Sequence, residues 1–85
     1  KTIIDLLKKF NFQDQFIIEK IEFVQNRRWN IILKNNIKLM LSEDKPKSSI
    51  QNLIKIKNNL SETEINNIKY IDLRNINKTL IAFNE

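Results

Sequence analysis

Cysteine, histidine and glycine are absent from the sequence, and proline and tryptophan occur once each. Without cysteine there are no disulfides, zinc fingers or thiol nucleophiles. Without histidine the commonest general base at neutral pH is missing. Without glycine the chain has neither a P-loop nor a dinucleotide fingerprint, since both depend on glycine turns. No apolar run approaches the roughly 18 residues that a membrane-spanning helix requires, and no stretch of these residues reads as a signal peptide. Among residues that could still do chemistry, Ser42, Ser48, Ser49 and Ser61 fall at expected helix starts, where a hydroxyl serves as a cap. Glu43, Asp44, Glu62 and Glu64 fall at the same places, where negative charge favours the helix dipole. The sequence therefore leads to no catalytic, metal-binding or cofactor-binding residue, and no enzyme activity is expected.

What is present is a short, lysine-rich chain of ordinary globular composition: 85 residues, 41% hydrophobic, 29% charged, net charge +5. That length allows one domain, with a core small enough to leave the fold marginally stable alone. The chain opens on Lys1 rather than methionine and is expected to be a piece of a longer protein. A positive charge raises the alternative of a small basic nucleic-acid-binding module, with Arg27, Arg28 and Trp29 as its best cluster. Isoleucine, asparagine and lysine account for 16, 13 and 12 residues, a bias that spreads lysine over every surface rather than building a face. Lys45, Lys47, Lys55 and Lys57 share a helix but not one side of it, and core packing is the favoured role for Trp29.

The hydrophobic pattern gives the order of elements. Ile3, Leu6, Leu7 and Phe10 recur at helical spacing, and Asn11 suits a left-handed C-cap. QFIIEKIEFV reads as a strand, with Ile17, Ile21 and Phe23 on one face and Ile18 and Val24 on the other. Trp29, Ile31 and Leu33, then Ile37, Leu39 and Leu41, alternate on either side of Asn35-Asn36, which predicts a two-residue type I′ hairpin. With no glycine, positive φ falls to asparagine, and Asn58-Asn59 and Asn66-Asn67 are further candidate turns and caps. Pro46 fits the first turn of a helix reaching about Asn58, and Ser61 and Glu64 match a capping box. Ile71 and Leu73, then Ile81 and Phe83, mark two closing strands. A strand, helix and strand in succession imply a right-handed crossover. The expected fold is α+β, a mostly antiparallel sheet of about five strands with two helices packed on it.

The last strand is uncharged from Thr79 to Phe83 and is expected to lie uncovered at the edge of the sheet. An apolar edge of that kind aggregates unless it is there to be paired. Asp72 and Arg74, two apart, share a strand face and can meet charges on a neighbour.

Three segments resemble the C-terminal half of the bacterial cell-division family FtsQ, called DivIB in Gram-positive bacteria. RRWNIILKNNIKLML is similar to its R-W-x-x-x-L-x-N hairpin, SEDKPKSSIQNLIKI falls where the family has a helix, and YIDLRNINKTLIAF matches the closing (I/V)-D-L-R strand and its successor. IIDLLKKFNF and QFIIEKIEFV fit the elements leading in. The resemblance implies a non-catalytic scaffold of the divisome that binds FtsB-like and FtsL-like partners and helps regulate septal cell-wall synthesis. It implies an inner-membrane, single-pass parent with this domain in the periplasm, so that residues 1–85 form one partial β domain lacking the anchor and the POTRA domain. It further implies strand addition at the C-terminal edge. Arg28 and Arg74 would be basic contacts, and Asn75 and Asn77 would lie in the connection. Lys78, Thr79, Leu80, Ile81, Ala82 and Phe83 would form the augmented strand. Relatives often carry glycine or proline in that connection, where this chain has Asn75-Ile76-Asn77.

Overall fold

The computed structural model describes residues 2–84. Its elements are α1 (Thr2–Lys9), β1 (Ile18–Val24), β2 (Arg28–Leu33), β3 (Lys38–Leu41), α2 (Pro46–Asn59), α3 (Glu62–Asn66), β4 (Ile68–Leu73) and β5 (Leu80–Phe83). The strands form one sheet in the order β1-β2-β3-β4-β5.

The expectation of a mostly antiparallel sheet is corrected: the sheet is mixed. β3 and β4 run parallel at its centre, with Leu39 opposite Ile71 and Leu41 opposite Leu73, whereas the pairs on either side are antiparallel. The cause is α2, which carries the chain back to the end of the sheet where β3 began, as a parallel crossover requires. α2 begins with Pro46 in its first turn, where the missing N–H costs nothing. α3 opens on the expected capping box: Glu64 N–H donates to Ser61 Oγ at 3.1 Å, and Ser61 N–H donates to Glu64 Oε1 at 2.8 Å.

One face of the sheet carries the core. Across the strands Ile21, Ile31, Leu39, Ile71 and Ile81 form one row. Ile31, Leu39, Leu41 and Leu73 are buried with Ile50 and Leu53 of α2 and Ile3 and Leu7 of α1 in a single cluster. Ser49 is also buried, and it corrects the expectation that this serine caps a helix. Its Oγ accepts from the N–H of Ser42 at 2.8 Å and donates to the carbonyl of Leu73 at 2.8 Å. The hydroxyl thus ties α2 to the ends of β3 and β4.

The turns show how a chain without glycine bends. Positive φ occurs at Asn11, Gln25, Asn26, Asn35 and Asn36. The asparagines at 58, 59, 66 and 67 do not share it; they lie within or beside α2 and α3, where helical φ serves. Between β2 and β3 the Leu33 N–H donates to the Ile37 carbonyl at 2.8 Å, which closes a loop of three residues, Lys34–Asn36, rather than two. A second turn centred on Gln25-Asn26 joins β1 to β2. β1 also departs from strict alternation. Ile18 pairs with Leu33 and Lys20 with Ile32, so Glu19 is an extra residue that bulges out. The bulge brings Ile18 onto the same face as Ile21 and Phe23, which corrects its expected placement opposite them, and leaves Ile17 exposed.

Candidate functional site

β5 is an outer strand, bonded to β4 alone. Its four residues, Leu80, Ile81, Ala82 and Phe83, carry no charge, and β5 itself has no bulge; the irregularity in this pair lies in β4, between Ile68 and Tyr70. Leu80 and Phe83 are 50% and 42% exposed, large fractions for apolar side chains. Ile81 packs against the core cluster opposite Ile71. The amide of Asn84 turns inward, donating to the Asn67 carbonyl at 2.8 Å. Alternation along a strand then turns the N–H and C=O groups of Ile81 and Phe83 outward, and those of Leu80 and Ala82 toward β4.

The connection into β5 is held by its own polar groups. Asn77 N–H donates to Asn75 Oδ1 at 2.9 Å and Lys78 N–H to the Asn75 carbonyl at 3.1 Å, a tight turn with an aspartate-like side-chain cap. Asn52 of α2 donates to the Ile76 carbonyl at 3.2 Å and pins the turn from the helix side. Lys78 and Thr79 therefore precede the strand, which is shorter than the expected stretch beginning at Lys78.

The face of the sheet away from the core runs into this edge. One row is Glu22, Asn30, Met40, Asp72 and Leu80; the next is Lys20, Ile32, Lys38, Tyr70 and Ala82. Asp72 and Arg74 do not reach for separate neighbours but bond each other. Arg74 Nε donates to Asp72 Oδ1 at 2.9 Å, Nη2 to Oδ2 at 2.7 Å, and the Arg74 backbone N–H to Oδ1 at 3.1 Å. The side-chain hydrogen bond from Arg74 holds the Asp72 carboxyl below the usual carboxylate range against the opposing effect of burial, and Arg28 adds to the lowering from across β3. The same bond raises Arg74 further above its ordinary value. Arg28 Nε and Asn30 Oδ1 are buried on this face without a hydrogen-bond partner.

The Arg27-Arg28-Trp29 cluster does not form a binding face. Arg27 lies in the β1–β2 turn, 3.9 Å from Glu43. Arg28 is on the open face, and Trp29 stacks at 4.4 Å on Phe23 on the other side. Among the described residues no three histidines, cysteines or acids come together as a metal site, and no helix is long and apolar enough to cross a membrane.

A family model for the C-terminal region of the cell-division protein FtsQ/DivIB matches residues 1–74. The chain belongs to the FtsQ/DivIB family. The match covers the hairpin, the crossover helix and the strand ending in the Asp72-Leu73-Arg74 motif, and it places the chain in the C-terminal part of FtsQ/DivIB, with a role in cell division. It stops before β5, so the edge strand rests on the geometry above. None of the curated proteins compared matches the chain.

Proposed function

We propose that this FtsQ/DivIB domain is a non-catalytic docking scaffold of the divisome, which binds FtsB-like and FtsL-like partners by adding a partner strand to β5. The observation that carries the reading is an edge strand that is apolar, unbulged and uncharged, with the outward backbone groups of Ile81 and Phe83 open to pairing. Natural sheets normally blunt such an edge with charge, proline or a bulge. Strand addition takes affinity from main-chain bonds and specificity from side chains, here the exposed Leu80 on the open face and Phe83 on the core side of the edge. Arg28 and Arg74 favour an acidic partner segment, with Asn75 and Asn77 shaping the approach. In the same reading residues 1–85 act as one β-domain unit, while the parent holds it at the periplasmic side of the inner membrane through an anchor and a POTRA domain.

Isothermal titration of the domain with a synthetic acidic FtsB-like peptide tests this. Phe83→Asp is expected to abolish binding while leaving circular dichroism unchanged, because Phe83 is half exposed at the strand end. Ile81 is a poorer test position, since its side chain packs on the core. Undiminished affinity in Phe83→Asp overturns the proposal.

A further inference from the structure

We propose that Asp72 is a positioning residue for this docking edge: it fixes the Arg74 guanidinium in place and makes it a short-range hydrogen-bond donor instead of a long-range charge. The inference rests on the docking reading of β5 and deepens it.

Three observations carry it. A guanidinium has five N–H donors in a rigid fork. The Asp72 carboxylate engages two of them, Nε at 2.9 Å and Nη2 at 2.7 Å, which leaves three donors facing away from the pair. The two side chains are unequally covered, Asp72 at 15% and Arg74 at 48% exposure, so the acid forms the base of the pair and the arginine its accessible tip. Finally, Asp72 lies directly opposite Leu80, the first residue of β5, so the fork is held where an incoming strand would begin to pair.

Together the two residues carry no net charge. As it comes within a Debye length, about 8 Å at physiological ionic strength, where exposed charges begin to be felt, an approaching acidic peptide senses Arg28, Lys38 and Lys78 rather than the neutralised Arg74. Arg74 acts only on contact, when a carboxylate or carbonyl reaches its free donors. Geometry then decides the fit, as in other fork-to-carboxylate contacts. Carried one pair further, the strand register sets Arg28 level with Arg74 across β3, about 10 Å apart at two strand spacings.

Surface plasmon resonance with the same acidic peptide, at low and physiological salt, tests the assignment on wild type, Asp72→Asn and Asp72→Glu. Asp72→Asn keeps the shape and removes the charge. Association is expected to become roughly twofold faster and more salt-dependent, because the Arg74 charge is released. Dissociation is expected to become several-fold faster as the fork loses its fixed orientation. Asp72→Glu, which keeps the charge, should hold the association rate near that of wild type. Loss of any nearby carboxylate would speed association, so the faster dissociation and the loss of a fixed Arg74 Nε–H are what mark a positioning role. The Arg74 Nε–H resonance, slow to exchange in wild type, should be lost in Asp72→Asn. Association unchanged in Asp72→Asn, or an unprotected Nε–H in wild type, overturns the inference while leaving strand addition intact. Failure of the wild-type domain to bind the peptide overturns the docking reading, and this inference with it.

Discussion

Proline substitution along β5 separates the two sides of the strand. Proline lacks an N–H, so its effect depends on which way the replaced amide points. At Ala82 the amide faces β4. Ala82→Pro removes a ladder bond and leaves its acceptor unpaired, a loss of about 1–3 kcal/mol in stability. For a domain of this size each kcal/mol moves the melting midpoint by about 4–8 °C, which calorimetry resolves easily. At Phe83 the amide faces outward, and the preceding residue is already extended, as proline requires. Phe83→Pro should therefore leave the melting midpoint within a few degrees of a Phe83→Ala control. Against a partner strand the order reverses. Phe83→Pro leaves a partner carbonyl unsatisfied, at about 1–3 kcal/mol, or roughly 5- to 140-fold in Kd relative to Phe83→Ala. Titration calorimetry against the acidic peptide reads this directly. If Phe83→Pro melts the fold and Ala82→Pro does not, or if the two variants bind equally well, the assigned orientation of β5 is wrong and strand addition loses its geometric basis.

Two further outcomes are expected. Ser49→Ala removes a fully buried hydroxyl from between its two partners and should cost about 1–3 kcal/mol in urea denaturation, since the Ser42 amide and the Leu73 carbonyl are left unpaired; a cost below a few tenths would show that the hydroxyl does not tie α2 to the sheet. The Asp72–Arg74 pair should carry an acid-side signature. Because the carboxyl is held below its unfolded value of about 3.9, its contribution is complete above that pH and disappears as pH falls through the lowered folded value. The stability difference between wild type and Asp72→Asn should accordingly be flat from neutral pH down to about pH 5 and shrink below it; a difference that grew on acidification would refute the assignment.

Much of the fold was legible because local rules and burial agreed. The alternation in Trp29–Leu33 and Ile37–Leu41, the capping box at Ser61 and Pro46 in the first turn each correspond to an element in the structure. Long-range geometry was harder to read. The parallel β3–β4 pair depends on where α2 returns the chain, which no local pattern states. Strict alternation misplaced Ile18 because one inserted residue, Glu19, reverses the phase of a strand, and nothing in the composition of β1 announces a bulge. Asparagine stands in for glycine at residues 35 and 36, as its tolerance of positive φ suggests. The Gln25-Asn26 turn was missed because glutamine is not a usual positive-φ residue, although the two strands on either side of it were both recognised and left little chain between them. Of the candidate site, the edge position of β5 could be read from the sequence. The mutual engagement of Asp72 and Arg74 could not, because residues two apart on a strand share a face whether or not they touch.

The bulge in β1 also bears on assembly. One rim of the sheet carries the extra Glu19 and the alternating charges of Lys20 and Glu22, whereas β5 carries neither bulge nor charge. A molecule with one adhesive rim and one inert rim cannot stack head to tail into a growing fibre, because each added copy would need two receptive sides. At most, two copies could meet rim to rim in a closed pair, and a partner strand seated on β5 would exclude even that. The asymmetry allows the domain to keep one sheet edge ready for docking without the risk of polymerisation.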